Sequence, residues 1–521
     1  MEQKYHDKYF TKKEIINRFR IFDGDKTLGE IDFRGVFYTQ VPAKGIAGCV
    51  IEQSVLNMKQ NSMQEADLEI TDEDGHTNST ELKVTGVLPS NKDGCKYEAK
   101  EPMSLTAVSI GTIENENFFE SHYYSKIAHM LWVFYLYDKK EGQSTVPYIE
   151  YTRFPVLGYE FIDIVNDSDE LERFKNDWTL ARDYIIEANK TDNPEELYPH
   201  LHEAIKSRLF YVDIAPRYKT SPYQRPRFRF KKSYVDTIFQ QFYQKKIGSL
   251  KKFEKLEENY NSYDDLETAL HNLTAKYQGK TVEELIRILK VPVQDINHLS
   301  KSVTEAIMVR LLGGQSKKIS NIEVFSKIGV IAKTIVVTTT GGRTEDMKLF
   351  TMDLDEIKNL ELPFEETSYY EYFNNHQILC ILFEEPSTNA KLNENRFLGF
   401  KFLSFTEDII NETIKTVYED ICYKINNGQV IESYMYKNNG TQRINKTGVP
   451  MVTLNFPKSA EFNIFVRGTS SDSTRKPWTF NGQSADGSDT IHAYSQQIWI
   501  RGKYVTDLLS LSTGIKDASN I

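Results

Sequence analysis

No apolar run in this 521-residue chain approaches the roughly 18 to 20 residues needed to cross a bilayer, and the opening MEQKYHDKYFTKKEI is charged where a signal peptide would be apolar. These absences argue against a membrane span or membrane partner and lead us to expect a cytoplasmic protein. Cysteine is scarce. Cys49, Cys95, Cys380 and Cys422 are far apart with no CxxC pair, which argues against a zinc site or a disulfide framework and leaves buried free thiols. An excess of positive charge is also missing: the formal net charge is −10, so nucleic acid cannot be held by overall attraction, and any such surface must be local. The Gly341-Gly342 turn lacks the helix-initiating Lys-Ser/Thr of a phosphate cradle and reads as a hairpin loop.

The chain does contain enough to build sizeable cores. Apolar residues make up 40%, with 30 Tyr and 30 Phe, and the length suggests more than one domain. One stretch is locally basic: from Lys206 to Lys255 fourteen Lys and Arg residues, among them Arg217, Lys231 and Lys232, are interleaved with Tyr218, Tyr223, Phe228, Phe230 and Tyr234 and opposed in sequence only by Asp213, Asp236 and Glu254. Such a run suits phosphate contact, although a solvated charged face has the same composition.

The polar segment Gln240 to Asp265 separates two more apolar regions, and we expect a first lobe over 1–245, a linker over 246–265 and a second lobe over 266–521. The halves resemble each other. Lys26-Thr27-Leu28-Gly29-Glu30-Ile31 resembles Lys280-Thr281-Val282-Glu283-Glu284-Leu285. The helical run from Lys44 matches the run from Lys301, TELKVTGV ending at Val87 matches VIAKTIVV ending at Val337, and FRFKKSYV matches IWIRGKYV. Four correspondences in one order indicate a tandem duplication.

The chemistry centres on Asp67 and on Glu81-Leu82-Lys83. Phosphodiester hydrolysis needs charge neutralised on the phosphate, a water activated and the leaving oxygen steadied, and a carboxylate-held Mg²⁺ can do all three. Strand alternation would place Glu81 and Lys83 on one side, with a polar turn from Thr71 to Thr80 leading back toward Asp67. Alone the triplet is weak, because Glu-x-Lys also occurs at Glu2 to Lys4 and at Glu98 to Lys100. Glu52, on an otherwise apolar helix, needs a partner, and Lys126 opens an apolar run that reads as a core strand. His122, His129 and His492 read as structural.

The ordered set Lys44-Gly45, Glu52, Asp67, Glu81-Leu82-Lys83, Ser121, Lys126-Ile127, Leu131-Trp132-Val133, Asp177-Trp178 and Lys231-Lys232 resembles the MutH-like endonucleases. That family includes a mismatch-repair nickase and two-lobed type IIE restriction enzymes that recognise GATC. The resemblance implies an α/β fold of the PD-(D/E)xK kind, here a tandem pair of lobes. It implies Mg²⁺ held by Asp67 and Glu81, Lys83 orienting the attacking water, and Glu52 and Lys126 completing the site. Matching the lobes puts Val309 at Glu52, Ile331 at Glu81 and Asn321 near Asp67, so the second lobe is expected to be a catalytically degenerate, DNA-binding copy. Where the family has an Arg-Pro pair for reading bases, the chain has Pro216-Arg217 and Val466-Arg467-Gly468. Arg217 and Arg467 are therefore the candidate base readers, with Lys44, Lys231, Lys232, Arg501 and Lys503 as further DNA contacts. The expected partner is double-stranded DNA, as substrate in the first lobe and effector in the second, bound by a monomer able to pair on DNA. The alternatives are a GATC nickase of the repair type and a non-enzymatic DNA-binding protein.

Overall fold

A computed structural model of the chain describes residues 5–41, 43–59, 66–90, 95–140, 146–215, 225–248, 253–343, 345–470 and 474–511. Two compact units emerge: Met1–Thr268 with Leu312–Val330, and Ala269–Leu311 with Ile331–Ile521.

The first unit contains strands β1 (Tyr9–Thr11), β2 (Leu68–Thr71), β3 (Thr77–Pro89), β4 (Tyr97–Ala99), β5 (Met103–Ala107), β6 (His129–Leu136), β7 (Val156–Asp163), β8 (Val212–Ile214) and β9 (Arg227–Phe230). Its main sheet runs β1-β2-β3-β6-β7, with β4 also paired to β3, and the mixed α/β architecture is the expected one. Pairing is parallel for β1 with β2 and for β3 with β6, and antiparallel for β6 with β7. The almost wholly apolar β6 is covered on both faces. Leu131, Val133 and Tyr135 join Phe10, Phe154 and Val156 in one core, while Trp132 and Phe134 pack against Phe230, Tyr234, Phe239 and Phe242 on the other side. A second sheet has the order β5-β9-β8.

Residues 312–330 were expected in the second lobe but belong to the first unit, so Asn321 does not stand in a second-unit counterpart of the Asp67 position. Its carbonyl accepts from the Glu254 amide at 2.8 Å, and the helix Glu323–Ile328 packs on Lys232–Ile247. The anchor is Lys327, only 3% exposed, whose Nζ donates to Glu170 and to Glu323 at 2.9 Å each. Glu170 also accepts the Tyr234 hydroxyl at 2.7 Å.

The second unit contains β10 (Ile331–Thr338), β11 (Met347–Thr351), β12 (Ile378–Glu385), β13 (Arg396–Leu403), β14 (Glu432–Tyr434), β15 (Val452–Leu454), β16 (Ile464–Gly468), β17 (Trp478–Asn481), β18 (Thr490–Ala493) and β19 (Gln496–Ile500). They form the sheets β10-β12-β13 and β11-β19-β16 and the pairs β14-β15 and β17-β18. No helix among the described residues is long and apolar enough to cross a membrane. The four cysteines are free thiols; Cys380 is buried, whereas Cys49, Cys95 and Cys422 are half-buried rather than buried as expected.

Candidate active site

Alternation along β3 brings Glu81 and Lys83 to the same side of the strand. Lys83 Nζ donates to Glu81 Oε1 at 2.8 Å, and Lys126 Nζ donates to Glu81 Oε2 at 2.7 Å. Lys126 comes from the helix His122–Ile127, whose N-cap Ser121 accepts the Tyr124 amide. Asp67, just before β2, is tied across to the neighbouring strand: its Oδ2 accepts the Leu82 amide at 3.0 Å. Glu52 arrives from the helix Ile46–Val50, which begins at Gly45 with φ +98° and widens into a π turn over Ile51–Val55. Such turns re-aim side chains and recur at functional sites. The structure thus assembles Glu52, Asp67, Glu81, Lys83 and Lys126, which span 75 positions of sequence, into one electrostatic group.

Three acids face two lysines in this half-buried place. Burial, then the charges of Asp67 and Glu81, push the Glu52 carboxyl up to about 7, against the pull of Lys83. Burial, then Glu81, push Asp67 up to about 6, against the Leu82 amide, Lys126 and Lys83. Carboxylates held so reluctantly ionised lack positive charge, and an all-oxygen donor set of this kind fits a hard divalent cation such as Mg²⁺. Among the described residues, the one trio with potential ligand atoms within 4.8 Å of one another is a different one, Asp72, Asp74 and His76 at the β2–β3 turn, where Asp74 and His76 are exposed. Glu52, Asp67 and Glu81 are more widely spaced while the two lysines hold Glu81. His122 also faces this group; burial and Lys126 lower its pKa, a placement that the sequence reading of a structural histidine did not anticipate.

The candidate DNA contacts have varied placements. Lys44 is exposed and, with Lys100 and Lys232, surrounds Glu101; burial alone would raise that carboxyl, and the three ammonium groups bring it below its ordinary value. Lys232 is half-buried. Lys231 is not on the surface: it is 5% exposed and donates to the Leu209 carbonyl at 2.5 Å. Burial takes its ammonium down to about 8, against the attraction of Asp177 and Asp213. Asp177, fully buried, accepts the amides of Phe210, Tyr211 and Val212 at 2.5, 2.8 and 3.0 Å. Lys231 and Asp177 therefore hold the chain that enters β8 and leads toward Arg217, which itself lies outside the described residues. In the second unit, Arg467 lies over the rings of Trp499 (4.6 Å) and Phe465 (5.2 Å) and pairs with Asp346 at 3.0 Å. Arg501 is half-buried and Lys503 exposed.

Much of the basic run from Lys206 to Lys255 is neutralised by the fold. Arg229 forks onto Asp213 (2.6 and 2.9 Å), Lys245 meets Glu160 (2.5 Å), and Lys255 lies between Asp167 (3.9 Å) and Glu323 (4.0 Å). Of these acids, only Asp213 falls within the run.

Residues 56–154 match the family model described as DNA mismatch repair enzyme MutH, a span that includes Asp67, Glu81, Lys83 and Lys126 and stops short of Glu52. Over 366 residues, 68% of this chain and 70% of the relative, the sequence is 23% identical to the type II restriction enzyme Sau3AI of Staphylococcus aureus.

Proposed function

Because this chain is a MutH-like endonuclease, a site-specific deoxyribonuclease close to the type II restriction enzymes, we propose that it cleaves double-stranded DNA at GATC with Mg²⁺ held by Asp67 and Glu81. The carrying observation is the convergence of Asp67, Glu81, Lys83 and Lys126, joined by Glu52, within the span that matches the MutH model. When bound, Mg²⁺ would offset phosphate charge, acidify a water and steady the leaving oxygen. The protein supplies the rest. Glu81 fixes both ammonium groups; Lys83 is placed to orient the attacking water; Lys126 and Lys83 balance charge when a phosphate enters; Glu52 completes the acidic wall. Digesting plasmid with Mg²⁺ and with EDTA, then sequencing the ends, tests the reading. Ends at GATC only with Mg²⁺ are expected, and metal-independent cutting or ends elsewhere would overturn it.

We read the second unit as a catalytically degenerate copy that binds an effector DNA, the protein acting in the cytoplasm as a monomer able to pair on DNA. Several internal likenesses support the copy. In each unit a strand pairs parallel and then antiparallel (β3-β6-β7 and β10-β12-β13), with an irregularity in the second pairing and a positive-φ glycine opposite it, Gly158 at 137° and Gly399 at 143°. The orders β5-β9-β8 and β11-β19-β16 share an irregularity in the first pairing. Val156 donates to the Lys26 carbonyl and Phe397 to the Lys280 carbonyl, at 2.8 Å each. Ser121 and Thr367 cap corresponding helices in the same way. The register supports degeneracy: Glu81 lies opposite Met130 and Lys83 opposite Trp132, whereas Ile331 lies opposite Ile378 and Lys333 opposite Cys380, each pair equally far from the irregularity.

A further inference from the structure

The second unit has lost a carboxylate at Ile331 but kept a lysine in the register of Lys83. Lys333 is half-buried, and its Nζ donates to the Lys348 carbonyl at 2.8 Å. Arg343, between β10 and β11, is also half-buried, and its Nε donates to the Glu345 carbonyl at 2.7 Å. Both cations face the Cys380 thiol on β12. Among the described residues neither forms an ion pair with a carboxylate. Glu305 faces Lys333, and Glu345 and Asp346 face Arg343, but Glu345 is drawn to Lys301 (3.6 Å) and Asp346 to Arg467 (3.0 Å). Burial lowers the pKa of both basic groups, the mark of cations short of a counter-charge.

In the first unit Lys83 is balanced by Glu81, and acids standing without a metal would repel a phosphate. With Ile331 and Val309 at the acid positions that repulsion is gone, and the retained lysine is left uncompensated. An arginine beside it adds a planar fork suited to phosphate oxygens. We propose that Lys333 and Arg343 form a metal-independent clamp for one phosphodiester group of DNA, at the place where the first unit carries its metal-binding carboxylates. This inference rests on the effector reading of the second unit.

The test is a titration of the full chain with a GATC duplex in EDTA, across a series of salt concentrations, reading stoichiometry and affinity. Wild type should take two duplexes per chain. In K333Q/R343Q one of these should weaken at least tenfold, its log-log salt slope falling by about 0.9 for each phosphate charge that the variant no longer neutralises. R343K should retain most of the binding. R343Q, altered on a turn and leaving β10 intact, is the arm to rely on if the double variant misfolds, and its slope should fall by a single such step. Two duplexes per chain with unchanged affinity and slope in both glutamine variants would overturn the clamp and leave the effector reading standing. A single duplex per wild-type chain would overturn both.

Discussion

Glu81 gives one oxygen to each of two lysines while Asp67 grips the next backbone amide along the strand, so these two acids have different local duties. Isosteric changes separate chemistry from fold. D67N and E81Q should each lower cleavage by about three orders of magnitude or more, corresponding to about 4 kcal/mol of lost charge stabilisation, while specific DNA binding persists. Plasmid cleavage alongside a gel shift measures both, and a rate within tenfold of wild type for either variant would undo the assignment. K83A should be severely impaired as well. A second residue-scale contrast is between neighbours. Neutralising half-buried Lys232 should reduce the salt slope of binding by about 0.9. Buried Lys231, which holds the Leu209 carbonyl, should change stability and leave that slope alone. Equal slope changes for K232Q and K231M would put both on the DNA face.

At the scale of elements, residues 312–330 join the first unit although the chain on either side belongs to the second. Their buried anchor, Lys327, answers Glu170 and Glu323, so truncating it leaves two acids without their cation. K327A should destabilise the first unit by about 3 to 5 kcal/mol, seen as an earlier first transition in denaturant unfolding of the full chain. K327M, which keeps the stem, should recover little of that, because the missing quantity is charge. An unchanged transition would mean that the segment adds little to the first unit.

For the whole molecule, a net charge of −10 keeps DNA at a distance except where cations are gathered, and each unit gathers its own. If the second unit binds an effector copy, that binding accelerates cutting only through a difference in affinity between inactive and active states. Plasmids with two sites should then be cut faster than plasmids with one, and an added uncleavable GATC duplex at moderate concentration should speed the one-site reaction. Equal rates on the two plasmids, with no stimulation, would leave the second unit without an effector role.

The sequence by itself determined the site in the first unit, because the chemistry needs few residue types and strand alternation makes Glu-x-Lys a directional signal. Asp67, Glu81, Lys83, Lys126 and Glu52 were all legible from spacing, neighbouring apolar residues and resemblance. The alternation of β3 and the covered apolar run of β6 were legible for the same local reason. Tertiary structure decided what depends on long-range neighbours. The basic run read as an open positive face until Glu160, Asp167, Glu323 and Asp213 were brought against it. Lys231 and Lys232 are adjacent in sequence, but one turns inward to a carbonyl and the other stays half-buried, a choice made by packing rather than composition. The π turn that aims Glu52 and the return of 312–330 to the first unit leave no periodic mark, since each is set by contacts with chain far away. Charge pattern records which groups a segment carries, and only folding decides which of them meet each other and which remain for a ligand.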